Sequence, residues 1–232
     1  MVGKAVAGYH EGWLTIFTGA APVTDKTADP HPITTLAALQ ALYGPPAETS
    51  LRKEVDHIHP MYRAMIEASP FAVLATVGPE GLDVSPRGDA PGFVVVQDER
   101  TLLLPDRRGN NRIDSLKNVL ADPRVSLIFL IPGVGETLRV NGRATISVTP
   151  DLLRRFVVHG KPPATVLVVT VDTVFFQCSK ALVRSRLWDP AAQIDRRSLP
   201  STGTILSALT AAAIDADTYD QALPARVQAN LY

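Results

Sequence analysis

The 232-residue sequence has one cysteine, Cys178, and no excess of either charge, with 23 Lys and Arg against 23 Asp and Glu. A lone cysteine rules out an internal disulfide and fits a reducing compartment, so a cytoplasmic location is the expectation. A net charge of zero gives no long-range field to draw a polyanion, so nucleic acid is not an expected partner. No apolar run approaches the roughly 20 residues that cross a bilayer, so no membrane is expected either. Gly12 to Val23 is mildly apolar, but His10 and Glu11 precede it where a signal peptide would carry positive charge. Also missing are a Gly-x-Ser-x-Gly elbow, a Walker loop, a Gly-x-Gly-x-x-Gly fingerprint and any paired-cysteine pattern. His57 and His59 have no identifiable third ligand, so no metal site is predicted.

Hydrophobic residues make up 46% of the chain, enough for one sizeable core with terminal appendages. Residues 1–32 show no sustained period and end in Asp29-Pro30-His31-Pro32, which reads as a flexible N-terminal extension. Residues 33–232 read as one domain. It opens with helical spacing at Leu36, Leu39 and Leu42, then a second helix carrying Leu51, Val55 and Ile58, then Met61 to Ile66 after Pro60. Short β-branched runs follow at Phe71–Val77, Leu82–Ser85, Phe93–Gln97, Thr101–Leu104, Val125–Ile131, Thr137–Ile146, Val166–Val171 and Val174–Cys178. Tight connections such as Gly78-Pro79-Glu80-Gly81 suit antiparallel hairpins, because parallel neighbours need a long crossover. Helical patterns interrupt at Asn111 to Ala121 and Thr149 to His159, and weak ones recur at Gly203 to Ala213 and Asp215 to Ala222. The predicted class is mainly β, an antiparallel barrel with peripheral helices, since closure removes exposed sheet edges.

Four segments carry chemistry. In Leu104-Pro105-Asp106-Arg107-Arg108-Gly109-Asn110-Asn111-Arg112 a buried strand runs through a polar loop into a helix start. Free backbone N–H groups, the positive end of the helix dipole and forked arginine donors suit a phosphate monoester there. The plainer reading is a solvated turn with Asn110 or Asn111 capping the helix. Asp83-Val84-Ser85-Pro86-Arg87-Gly88-Asp89 could add Ser85 and Arg87 as donors, or be an ordinary loop with an Arg87–Asp89 ion pair. In Glu136-Thr137-Leu138-Arg139-Val140-Asn141-Gly142, Asn141-Gly142 marks a hairpin turn or a bulge, with Thr137 and Arg139 on one face. Arg184-Ser185-Arg186-Leu187-Trp188 sets two arginines beside an aromatic, suited to a planar anion or to ordinary core packing. Cys178, behind Phe175-Phe176, reads as a core residue rather than a nucleophile.

In this order and spacing, the four segments resemble the pyridoxamine 5'-phosphate oxidase-related flavoproteins, a bacterial branch of FMN-dependent enzymes, over about residues 34–230. The resemblance implies an FMN-binding split β-barrel, assembled as a homodimer with FMN in clefts at the subunit interface. It maps cofactor binding onto Ser85, Arg87, Pro105, Asp106, Arg107, Arg108, Asn110, Asn111, Arg112, Thr137 and Arg139, with Trp188 approaching from the partner subunit. The oxidases' lysine on the arginine-bearing strand has no counterpart, Gly92 standing near its place. Their C-terminal pattern for pyridoxal phosphate is also missing. The resemblance therefore implies FMN and oxidoreduction of a small-molecule substrate, with no catalytic acid or base named. A deazaflavin F420 reductase and a non-catalytic flavin-sensing protein are the alternatives. A haem-handling member would want an axial histidine, and no histidine lies in the four segments.

Overall fold

The computed structural model describes residues 31–232, so residues 1–30, nearly all of the expected extension, lie outside the described residues. Of the described residues, 31–46 fall in one compact unit and 47–232 in another. The first holds α1, Leu36–Leu42, capped by the Thr35 side chain, which accepts from the Ala38 N–H.

The second unit is built on seven strands: β1 Phe71–Gly78, β2 Gly81–Gly88, β3 Val95–Asp98, β4 Thr101–Asp106, β5 Arg124–Leu130, β6 Thr137–Ser147 and β7 Thr165–Gln177. They form one antiparallel sheet in the order β2-β1-β5-β6-β7-β4-β3. Alternate residues of the strands turn inward, Leu74 from β1, Leu127 and Phe129 from β5, Leu138 and Val140 from β6, Val169 and Val171 from β7. Leu102 and Leu104 of β4 and Val96 of β3 join the same core. A single core shared by strands far apart in the order requires the sheet to curl around it, and the fold is the expected antiparallel split barrel with peripheral helices.

Three helices pack against this barrel, and a short one precedes them. α2 (Glu48–Arg52) stops well before Ile58, and the chain instead makes a bridge from Val55 to Val174. α3 (Pro60–Ala68) begins on Pro60, whose fixed φ and missing N–H suit a first helical position, and buries Ile66 in the core. α4 (Asp114–Ala121) contributes Val119, and α5 (Pro150–Arg155) leads to Phe156, which packs with Leu103 and Val166 in a second cluster. Leu103 thus faces away from Leu102 and Leu104, so β4 is buried on both sides. α6 (Lys180–Ser185), α7 (Thr202–Leu209) and α8 (Ala216–Ala229) complete the chain.

Other elements also differ from the sequence reading. The runs Val166–Val171 and Val174–Cys178 are one continuous strand, β7. Val171 pairs with Gly142 and Thr173 with Asn141, so Asp172 is the extra residue of a bulge rather than a turn. Asn141-Gly142 is the other side of that bulge, and a Cβ on Gly142 would stand 2.2 Å from the Thr170 carbonyl oxygen. α6 was unforeseen, and α8 runs past Ala222 through Pro224 to Ala229.

Candidate functional site

Asp83, Ser85 and Arg87 occupy alternate positions of β2 and therefore share a face. The curl of the sheet carries that face to the end of β4. Arg87 Nη1 donates to Asp106 Oδ1 at 2.5 Å, and Arg87 Nε donates to Ser85 Oγ at 3.2 Å. Ser85 Oγ lies 3.1 Å from Ser115 Oγ, and Ser115 donates to Asp83 Oδ2 at 3.0 Å. A continuous hydrogen-bonded chain, Asp83–Ser115–Ser85–Arg87–Asp106, thus ties β2, β4 and the first turn of α4 together. The pairing sets aside the ordinary-loop alternative for this segment: Arg87 partners Asp106, not Asp89.

Arg107 turns inward. Its Nε donates to Asp89 Oδ2 at 2.7 Å and its Nη1 to the Phe156 carbonyl at 2.5 Å, and the Asp89 and Arg107 side chains are only 5% and 17% exposed. Burial alone pushes the Asp89 carboxyl up. Hydrogen bonds from the Ala90 N–H, the Tyr232 hydroxyl and Arg107 outweigh it, so its pKa lies below the ordinary carboxylate value. Tyr232 answers in the opposite sense, its hydroxyl held protonated by donating to Asp89 at 2.8 Å.

The loop from Arg108 to Ile113 leaves donors open. Arg108 has no hydrogen-bond or ion-pair partner among the described residues. Arg112 donates from its backbone N–H to Asn110 Oδ1 and from Nε to Asp114 Oδ2, which holds the Asp114 carboxyl below its usual range. Asn111 and Ile113 adopt φ of 61° and 54°, a left-handed conformation that costs a β-branched residue most. Neither Asn110 nor Asn111 caps α4. Ile113 occupies the N-cap and supplies no side-chain acceptor, so the first N–H groups of the helix have no side-chain cap.

These groups line a cavity of about 810 Å³. It brings together Ser85, Arg87, Asp106, Arg107, Arg108, Asn110, Asn111 and Arg112, eight of the residues singled out from the sequence. Five cationic side chains, Arg87, Arg107, Arg108, Arg112 and Lys161, stand against three carboxylates, Asp83, Asp106 and Asp114. The wall also carries Thr165, whose Oγ is buried without a hydrogen-bond partner among the described residues. Such an atom is costly unless something pairs with it.

Four expected residues lie outside this cavity. Pro105 lines a neighbouring one. Thr137 is buried at the start of β6, opposite Gln177. Arg139 sets its guanidinium 5.1 Å from the Phe175 ring centroid, and Trp188 Nε1 donates to the Val134 carbonyl at 2.8 Å. Conversely Asp83, Ser115, Lys161, Thr165 and Tyr232 belong to the site and were missed. Asp83 was readable from its two-residue spacing with Ser85 and Arg87, whereas Tyr232 meets Asp89 across 143 positions and has no local signal.

A split barrel whose strand ends and one helix start form an anion-suited cleft defines the class. The family described as pyridoxamine 5'-phosphate oxidase matches residues 58–178, and the chain belongs to that family. Comparison with curated proteins gave no match. Similar solved structures include HupZ of Group A Streptococcus, 16% identical with a TM-score of 0.44, covering 53% of this chain and 95% of that one. A Clostridium acetobutylicum protein related to general stress protein 26 of B. subtilis is 14% identical with a TM-score of 0.40, covering 50% and 84%. A NimC/NimA family protein of the same organism is 18% identical with a TM-score of 0.35, covering 53% and 90%. Among the described residues no helix is long and apolar enough to cross a membrane.

Proposed function

We propose that this chain is a cytoplasmic FMN-binding flavoprotein, an oxidoreductase of small molecules that works as a homodimer. The observation that carries the reading is the start of α4 without a side-chain cap, ringed by Arg108, Arg112 and Asn111 in the 810 Å³ cavity. The donor set fits a phosphate monoester: backbone N–H groups, a guanidinium without a partner, and the buried Thr165 hydroxyl. Bound FMN would supply hydride transfer through its ring, chemistry that no side chain of the cleft offers. Arg108 and Arg112 would hold the phosphate. Arg87 would present a donor already oriented by Asp106 and Ser85, and Asp83 and Ser115 would fix Ser85 in turn.

Purified protein is expected to show the two absorption bands of an oxidised flavin and to release a chromophore with the mass of FMN on denaturation. A colourless protein that takes up no added FMN would end the reading, and uptake of F420 in its place would redirect it. Arg108→Ala should weaken FMN binding about tenfold or more in a fluorescence titration, the usual loss of a charge-assisted hydrogen bond. An unchanged dissociation constant would remove Arg108 from the phosphate site.

The dimer is supported by β2, which turns its polar row to the cavity and its apolar row away. Leu82 and Val84 are 86% and 63% exposed on this edge strand, which among the described residues pairs only with β1. Exposed apolar rows on an edge strand call for cover. Light scattering should give twice the 25.0 kDa of the chain, and Val84→Lys should shift the mass toward the monomer. A monomeric wild-type protein with FMN bound would contradict the assembly.

A further inference from the structure

A second cavity, about 890 Å³, adjoins the first. The 107–111 stretch, Arg87 and Tyr232 line both, and the Arg107–Asp89–Tyr232 hydrogen bonds lie where the two meet. Lys161 Nζ donates to the Tyr232 carbonyl at 2.9 Å, the His159 ring meets the tyrosine edge-on at 5.3 Å, and the Arg107 guanidinium lies 5.8 Å from its centroid. Tyr232 is thus held at its hydroxyl, its ring and its backbone.

The far side of the second cavity is made by the end of α8 and the residues after it. Val227 and Leu231 are each more than half exposed there, opposite Phe93 and Pro105. Two arginines line this space without an ion pair among the described residues, Arg108 and Arg226. Arg108 belongs to the phosphate loop of the first cavity, whereas the Arg226 guanidinium lies 4.1 Å from the Tyr219 ring centroid. The one carboxylate, Asp89, is already used on both oxygens, by Arg107 on one and by Ala90 and Tyr232 on the other. What remains for a ligand is positive charge beside apolar and aromatic surface, in a volume typical of small-molecule sites.

We propose that this cavity is a second small-molecule site, which takes an organic carboxylate with a flat apolar body: the carboxylate on Arg226, the body between Phe93, Leu231 and Tyr232. Calling that ligand the substrate rests on the flavoprotein reading; the site itself does not.

Fluorine NMR of 4-fluorobenzoate titrated into the protein, with and without added FMN, tests this. Binding is expected in both conditions. Arg226→Gln, a change at an exposed helix position, should weaken it about tenfold. 4-Fluorobenzamide, of the same shape without the charge, should bind the wild type about tenfold more weakly and be indifferent to Arg226→Gln. FMN affinity, read by fluorescence quenching, should be the same in Arg226→Gln and wild type. Failure of 4-fluorobenzoate to bind at millimolar concentration, equal binding of acid and amide, insensitivity to Arg226→Gln, or competition between 4-fluorobenzoate and FMN would each overturn the second site. If FMN fails to bind while 4-fluorobenzoate binds through Arg226, the flavoprotein reading falls and the second site stands.

Discussion

Asp89→Ala is expected to destabilise the protein by about 3–5 kcal/mol, the cost of breaking a buried ion pair from one side. The carboxylate is nearly inaccessible and accepts from Arg107, Ala90 and Tyr232, so its removal strands a largely buried guanidinium whose other hydrogen bond is to the Phe156 carbonyl. Urea denaturation checks the size. A double-mutant cycle checks the cause, since Arg107→Ala should cost far less in the Asp89→Ala background than in the wild type. The pH dependence has a definite sign. Asp89 has a folded-state pKa below its unfolded one, so its contribution is fully present above the unfolded value, about 3.9, and is lost as pH falls through the lower folded value. The advantage of wild type over Asp89→Ala should therefore be flat near neutrality and shrink below about pH 4. A variant within about 1 kcal/mol of wild type at pH 7 would show that the pair is dispensable.

Gly142→Ala is the second large effect, expected at about 3 kcal/mol, the upper end of what overpacking costs. The new methyl would stand 2.2 Å from the Thr170 carbonyl and 3.1 Å from a Val169 methyl, atoms of the strand to which β6 is bonded. Neither can move away without opening the β6–β7 ladder at its bulge. Gly109→Ala is the matched control. Its Cβ would meet nothing within 4 Å, and the smaller unfolded-state entropy should leave stability unchanged or raised by up to about 1 kcal/mol. Equal unfolding midpoints for the two variants would refute the steric account.

The strands were legible because their burial alternates with a period of two, as at Leu74, Leu127 and Val140, and the sequence carries that alternation openly. The phosphate-suited corner was legible because its donors are consecutive in the chain. The pairing inside it was not. Arg87 and Asp89 are near neighbours in sequence, yet each takes its partner from the β4 end, Asp106 and Arg107, which only the closure of the sheet delivers. The start of α4 was misplaced because its apolar pattern reaches back to Ile113, whereas the backbone at Asn111 and Ile113 has already turned left-handed. β7 was read as two runs because Asp172 and Thr173 interrupt its apolar pattern, and the bulge facing Gly142 carries the strand through them.

The strand order also sets a folding schedule. β3 and β4 form a local hairpin, but β4 finds its other neighbour only in β7, with Thr101 opposite Thr170 and Asp106 opposite Thr165. During synthesis Leu102, Leu103 and Leu104 leave the ribosome well before the strand that covers them. Pairings of such long range place folding in the slow regime, milliseconds to seconds, and leave an apolar strand uncovered in the meantime. The step that joins β7 to β4 is thus where aggregation competes with the native state, and refolding yield should fall with protein concentration even where the finished barrel is stable.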